Sequence, residues 1–454
     1  MAARLKTSND LRAGRLVRSA RISHALLALA AVAAPLPAAA QPMAPTAQVA
    51  EPARGQSIAD FYAARDDRPL WLEDDGSAGR AASILLDYLR TAEADGLEPD
   101  QFRLAELSEA VRLASSGSAS DVSRVDLMLS EAFVAYVRDL KRIPSDGLIW
   151  VDPELKPKAP TPRRLLETAA RAPSLETWLT DMGWMHPIYA GLRKALVEGG
   201  AGDRQLLRLN LDRARALPSG GRRHIIVNAT AQRLEMYEGG QVVDSMNVVV
   251  GKPKNPTPMM AALVRFASLN PYWYVPPDLA SERIAPNVLK EGLPYLERQG
   301  YQLFSNWNDE ATLLDPATID WRAVADGASE IYVRQLPGPA NAMGIMKFMF
   351  PNSKGVYLHD TPQKELLTEA SRMFSGGCVR LEDAPRLARW LFGSPLQPES
   401  NQPELRVDLP EPVPVYITYL TVIPEGQDLA TFPDVYGRDR DGLALSGQAV
   451  TAAR

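Results

Sequence analysis

From residue 58 to about 217, apolar positions recur at three- and four-residue spacing, the pattern of helices that bury one face. A short helix is expected from Ile58 through Phe61 and Tyr62, followed by an aromatic plug at Leu70 and Trp71. Ile84, Leu85, Tyr88 and Leu89 predict a helix over 81–94, ended by Asp95-Gly96, and a second is expected over 102–113. The clearest spans 122–140, with Val125, Leu129, Ala132, Phe133, Tyr136, Val137 and Leu140 on one face. Pro144, Pro153, Pro157, Pro160 and Pro162 mark a linker that contains Ile149 and Trp150. Further helices are expected at 165–179 (interrupted at Pro173), 188–197 and 203–217. No catalytic grouping falls in this half, and His186, beside Trp184 and Pro187, reads as structural.

The pattern changes after Pro218-Ser219-Gly220-Gly221 to short β-branched or alternating runs. Strands are expected at 224–229, 233–237, 242–250, 262–268, 330–335, 346–350, 355–359 and 413–422. Gly239-Gly240 supplies a hairpin turn, residues 284–299 turn helical again, and 385–391 forms a helix. The fold class is therefore α+β: an all-helical N-terminal domain, then a mainly β domain with a helical or mixed insertion near 277–327.

Composition narrows the function. A net charge of -5 gives no basic field for nucleic acid, and no phosphate loop or GxGxxG appears. Arg4, Lys6, Arg12, Arg15, Arg18 and Arg21 precede an apolar stretch at 22–34 and the small residues Ala38-Ala39-Ala40. That is the pattern of a secretory signal peptide. If retained instead of cleaved, the same segment would associate the protein with the inner membrane. Residues 41–56 are rich in Pro, Ala and Gln and read as a disordered leader. An exported chain with one cysteine has no internal disulfide, so Cys378 is either a buried structural thiol or a used one.

Its neighbours favour use. Cys378 follows Gly376-Gly377, and His359, one of four histidines, ends the apolar run Val356-Tyr357-Leu358. A thiol needs a base to become a nucleophile, which His359 can supply, and glycines let backbone N–H groups converge on an oxyanion. Gly377 and Cys378 N–H are the expected donors. The third group of the relay is expected to be the Asp360 backbone carbonyl, because adjacent strand side chains point to opposite faces. Arg380 either holds a substrate carboxylate or braces the loop through Glu382 or Asp383. One cysteine and scattered histidines supply no usual zinc set, so no metal and no cofactor is expected.

The stretch 359–383, HDTPxxxLxxxxxRxFSGGCVRLED, resembles the catalytic motif of the L,D-transpeptidases (YkuD-type domain), within them the large periplasmic YcbB-like branch. Supporting matches are VVVGKP (248–253), NPYWYVP (270–276), PGPANAMGIMKFMFPN (337–352) and VYGRD (435–439). The resemblance covers roughly 208–440, with FYAARDDRPLW (61–71) extending it. It implies an acyl-enzyme on Cys378 with His359 as base. Cys378 would attack a peptidoglycan tetrapeptide stem after diaminopimelate, release D-Ala, and pass the acyl group to a second stem amine as a 3→3 cross-link.

Donor and acceptor stems would be the partners, with other wall-synthesis enzymes in the periplasm. Trp273, Tyr274, Tyr357, Asn341, Gly376 and Arg380 would bind substrate, and Lys347 reads as a solvated lysine. Many members carry a histidine where this chain has Gly376. Relatives often insert a wall-binding module, for which the span before Arg208 is too short. The implied organisation is signal peptide 1–40, leader 41–57, helical scaffold domain 58–217, catalytic domain 218–440 with a lid at 277–327, and disordered tail 441–454. A same-fold enzyme that attaches an outer-membrane protein to the wall or releases it, and a non-catalytic wall-binding scaffold, are the alternatives.

Overall fold

The computed structural model describes residues 55–143, 147–199, 202–398 and 400–444. The expected signal peptide, most of the leader and the last ten residues lie outside them. Order begins with helix α1 (Ile58–Ala63), where Ser57 and Asp60 form a reciprocal capping box. The chain is helical through residue 444, so the tail expected from 441 starts too early.

Helices α2 (Arg80–Arg90), α3 (Leu104–Ala114), α4 (Ala119–Leu140), α5 (Pro162–Ala170), α6 (Leu175–Thr180), α7 (Pro187–Val197) and α8 (Arg204–Ala214) follow. The stripe foreseen on α4 is its buried face: Leu129, Phe133, Tyr136, Val137 and Leu140 are fully enclosed. Trp71 is buried against Phe133, its indole N–H donating to Ser130. Asp126 accepts the backbone N–H groups of Leu70, Trp71 and Leu72, which satisfies a carboxylate inside the bundle.

This half is not wholly helical. Strand β1 (Ile149–Trp150), expected to be linker, pairs in parallel with β5 (Met260–Leu269) at the edge of the second half's sheet. Between prolines, two apolar residues with free N–H groups gain more by completing that edge than by staying in water.

The large sheet also contains β2 (His224–Asn228), β3 (Arg233–Glu238), β4 (Gln241–Gly251), β9 (Met346–Met349), β10 (Leu358–His359), β12 (Val379–Leu381) and β13 (Leu405–Thr418). Its order is β5-β13-β2-β3-β4-β12-β10-β9, and β9 pairs back onto β5, so the sheet closes on itself. Residues such as Val248, Val250, Phe348, Leu358, Val379 and Ile417 fill the interior. A short β11 (Met373–Ser375) pairs with β4.

The insertion is larger than expected. β6 (Trp273–Val275), β7 (Tyr301–Phe304) and β8 (Tyr332–Gln335) make a three-stranded sheet that carries the helical turns of 277–299 and encloses its own core of Val275, Ile284, Val288, Leu303 and Val333. Its strands begin before 277 and end after 327.

Candidate active site

The site is set by one parallel pairing. Leu358 stands opposite Val379 and His359 opposite Arg380, while the Val379 N–H donates to the Tyr357 carbonyl. Paired residues of parallel strands project to the same side, and each strand alternates. Leu358, Val379 and Leu381 therefore enter the core, and Tyr357, His359, Cys378 and Arg380 share the other face. Residues nineteen apart in sequence become neighbours without any loop having to reach.

Cys378 is half-buried at the entry to β12, its thiol donating to the Gly355 carbonyl at 3.5 Å. The turn before it is tightly fixed. Ser375 Oγ donates to the Cys378 carbonyl (2.6 Å) and accepts from the Gly377 N–H (3.0 Å). Thr257 Oγ1 accepts from the Gly251 N–H and donates to the Gly377 carbonyl (2.9 Å). Gly377 has φ +122°, a conformation glycine alone adopts freely. One expectation changes here. The Gly377 N–H is already engaged by Ser375, because the glycine turn folds onto its own preceding hydroxyl. Among the described residues no hydrogen bond takes up the Cys378 N–H.

His359 is 1% exposed, and its Nδ1 lies 2.5 Å from the Asp360 carbonyl. That contact assigns the proton to Nδ1 and leaves Nε2 as the basic nitrogen. The Asp360 carboxylate is spent elsewhere, on Lys364 Nζ (2.7 Å) and the Ile345 N–H (3.0 Å). Burial, with the charge of Arg380, lowers the imidazole pKa to about 3. Burial raises the Cys378 thiol, against hydrogen bonding from the Tyr357 backbone and the attraction of Arg380. The resting pair is thus thiol and neutral imidazole. The Tyr357 ring packs 5.8 Å from that of His359, and its burial keeps the phenol protonated.

Arg380 is buried and donates to Gln363 (2.9 Å), not to Glu382 or Asp383, and its Nε–H has no partner. Burial and repulsion from Arg283 in the insertion bring its pKa down to about 10, so it remains cationic. Arg283 was not foreseen, since nothing in the sequence marks one arginine of that insertion. Gly376 is exposed beside Leu279, also of the insertion.

Three expected substrate residues are elsewhere or otherwise employed. Trp273 is 7% exposed and belongs to the core of the insertion, while neighbouring Tyr274, on the other face of β6, is 48% exposed against Trp307. Asn341 is 1% exposed and pins its loop by donating to the Pro271 and Leu336 carbonyls and accepting from the Met343 N–H. Lys347 is not solvated: it is buried against Glu404 at 3.0 Å.

With this geometry in place, the family comparison is decisive. Residues 222–415 match the L,D-transpeptidase catalytic domain and residues 56–196 a scaffold domain. The second half of the chain therefore carries an L,D-transpeptidase catalytic domain. A Haemophilus influenzae protein that carries the provisional name L,D-transpeptidase is 27% identical over 400 residues, covering 84% of this chain and 78% of that one. An L,D-transpeptidase from Mycobacterium smegmatis aligns at 15% identity and TM-score 0.22, covering 45% of this chain and 63% of that one. The avibactam carbamoyl enzyme of Ldtfm aligns at 15% and 0.21, covering 44% and 51%. The chain spans less than two thirds of either solved chain, and these two overlaps carry no weight in the assignment.

Among the described residues no helix is long and apolar enough to cross a membrane.

Proposed function

We propose that this L,D-transpeptidase joins peptidoglycan stems through a thioester on Cys378. The observation that carries the reading is the shared face of Cys378, His359 and Arg380 across β10 and β12. His359 Nε2 accepts the thiol proton as sulfur attacks the carbonyl carbon between diaminopimelate and D-Ala. The C–N bond breaks, and D-Ala leaves as an amine that takes the proton back from the imidazolium. The side-chain amine of a second stem then attacks the thioester, gives its proton to Nε2, and the thiol is restored as the 3→3 bond forms.

The Cys378 N–H is oriented by the fixed turn and is the oxyanion donor. Gly377 joins it only if Ser375 lets go. Arg380, with Arg283 above it, receives a substrate carboxylate, and Asp360 acts through its carbonyl. The basic, apolar and small-residue segments of 1–40 support export to the periplasm.

Intact-mass measurement tests the reading. Incubation with a disaccharide tetrapeptide or a carbapenem should add one acyl group to the wild-type protein and none to Cys378→Ala. A wild-type protein that stays unmodified by both overturns it. Products assayed with a second stem, an outer-membrane protein or water as acceptor separate cross-linking from attachment or release.

A further inference from the structure

A second pocket lies where the helical half meets the closed sheet. It has a volume of about 540 Å³ and is lined by residues from the end of α4, the proline-rich connection, α5, α6 and the turn after it, the segment that leads into β2, and Tyr416 of β13. Five of its residues are cations: Lys141, Lys156, Lys158, Arg164 and Arg222. None of the five has a side-chain hydrogen bond or ion-pair partner among the described residues, and the one carboxylate on the wall, Glu154, lies 4.0 Å from Arg265, which is outside the pocket.

The walls between the charges are Trp178, Trp184 and Tyr416. Trp184 is 4% exposed, and its buried indole N–H is without a partner. Lys141 is the most enclosed of the cations, and burial brings its pKa down to about 8. Like charges gathered at one opening without carboxylate partners raise the local positive potential and draw an anion to it.

Tyr416 sits on β13, and β13 and β12 stand four strands apart either way round the closed sheet. The pocket is therefore across the barrel from Cys378. We propose that it binds a peptide carrying several carboxylates, namely a stem of the wall polymer other than the two that react, so that the enzyme is held on its substrate from a second point. This rests on the proposed function for the identity of the polymer. The volume suits a short peptide, the aromatic walls suit its apolar side chains, and the exposed Lys156, Lys158, Arg164 and Arg222 suit carboxylates approaching from solvent.

The test uses the full chain with Lys156→Glu, Lys158→Glu and Arg222→Glu combined, all at exposed positions. Binding of soluble, fluorescently labelled peptidoglycan fragments should weaken roughly tenfold or more and lose much of its salt dependence. Carbapenem acylation of Cys378 should stay within about twofold of wild type, as expected for a pocket outside the reacting centre.

Unchanged fragment binding overturns the proposal. So does binding that survives amidation of the fragment's carboxylates, or inorganic phosphate occupying the pocket while the fragment does not. Failure of wild-type acylation would instead sink the acyl-transfer reading and leave the binding result to be judged alone.

Discussion

Cys378 and His359 are tuned in opposite directions by the same burial. The thiol is pushed above its usual range and the imidazole down to about 3, so no thiolate–imidazolium pair is stored at rest. The sign follows: thiolate forms only as pH rises, and the imidazole stays a neutral base down to acid. Iodoacetamide alkylation of Cys378 should rise steadily from pH 6 to 9, with a midpoint above the ordinary thiol value. A plateau between pH 5 and 8 would mean that an ion pair exists after all.

Arg380 belongs to the same balance, because its unpartnered Nε–H and the nearby charge of Arg283 are the basis for the proposed carboxylate contact. Arg380→Gln should lower kcat/KM for a tetrapeptide donor by roughly 10- to 100-fold, the range for losing one charged contact. Arg283→Ala should do less, since it is exposed. A donor amidated at the recognised carboxylate should show neither effect.

The strand-and-turn units explain what could be read beforehand. Cys378, His359 and the Asp360 carbonyl were legible because alternation on two short strands fixes which side each residue faces. β1 was not legible, since a two-residue strand leaves no period to detect and its partner lies more than a hundred residues away. Trp273 and Asn341 misled for a common reason: aromatic and amide side chains beside prolines look like a shaped surface, and only packing reveals that one fills a small core and the other ties three backbone groups.

The glycine turn gives a sharper test. A Cβ on Gly376 would meet only Leu279 at 3.6 Å, an ordinary contact, whereas Gly377 has φ +122°. Gly376→Ala should keep activity within a few-fold. Gly377→Ala should cost about 1–3 kcal/mol of stability and displace the thiol, read by urea midpoint and acylation rate together.

The two halves share one interior, and the described residues form one compact unit. Ile226, Tyr237, Ala261, Tyr416 and Leu420 of the sheet pack in the same apolar cluster as Phe133, Tyr136 and Leu192 of the helices. At that junction His186 Nε2–H meets His224 Nε2 at 3.3 Å, the other nitrogens being held by the Ile188 N–H and the Arg222 carbonyl. Burial lowers His224 to about 4 and His186 well below its usual value, as it does His359.

Each is neutral in the fold and would take up a proton on unfolding below about pH 6.5. Stability should therefore fall as pH drops from 6.5 toward 4, by up to about 1.4 kcal/mol per pH unit for each group. Urea midpoints across that range measure it, and His224→Gln should flatten the slope.

The same junction is bolted by Arg213 of α8, which donates to Asp439 (2.5 Å), to the Tyr419 carbonyl and to the Arg438 carbonyl, all buried or partly so. Asp439→Ala strands that guanidinium in the interior, which costs about 3–5 kcal/mol. Because the core is continuous, the loss should not be confined to one half. Far-UV circular dichroism at 222 nm, whose helical signal comes mostly from α1–α8, and carbapenem acylation at Cys378, on the sheet, should fail at the same lowered temperature. Two separated transitions, with acylation surviving the first, would show that the helical half is a removable support and not part of the fold that holds the cysteine in place.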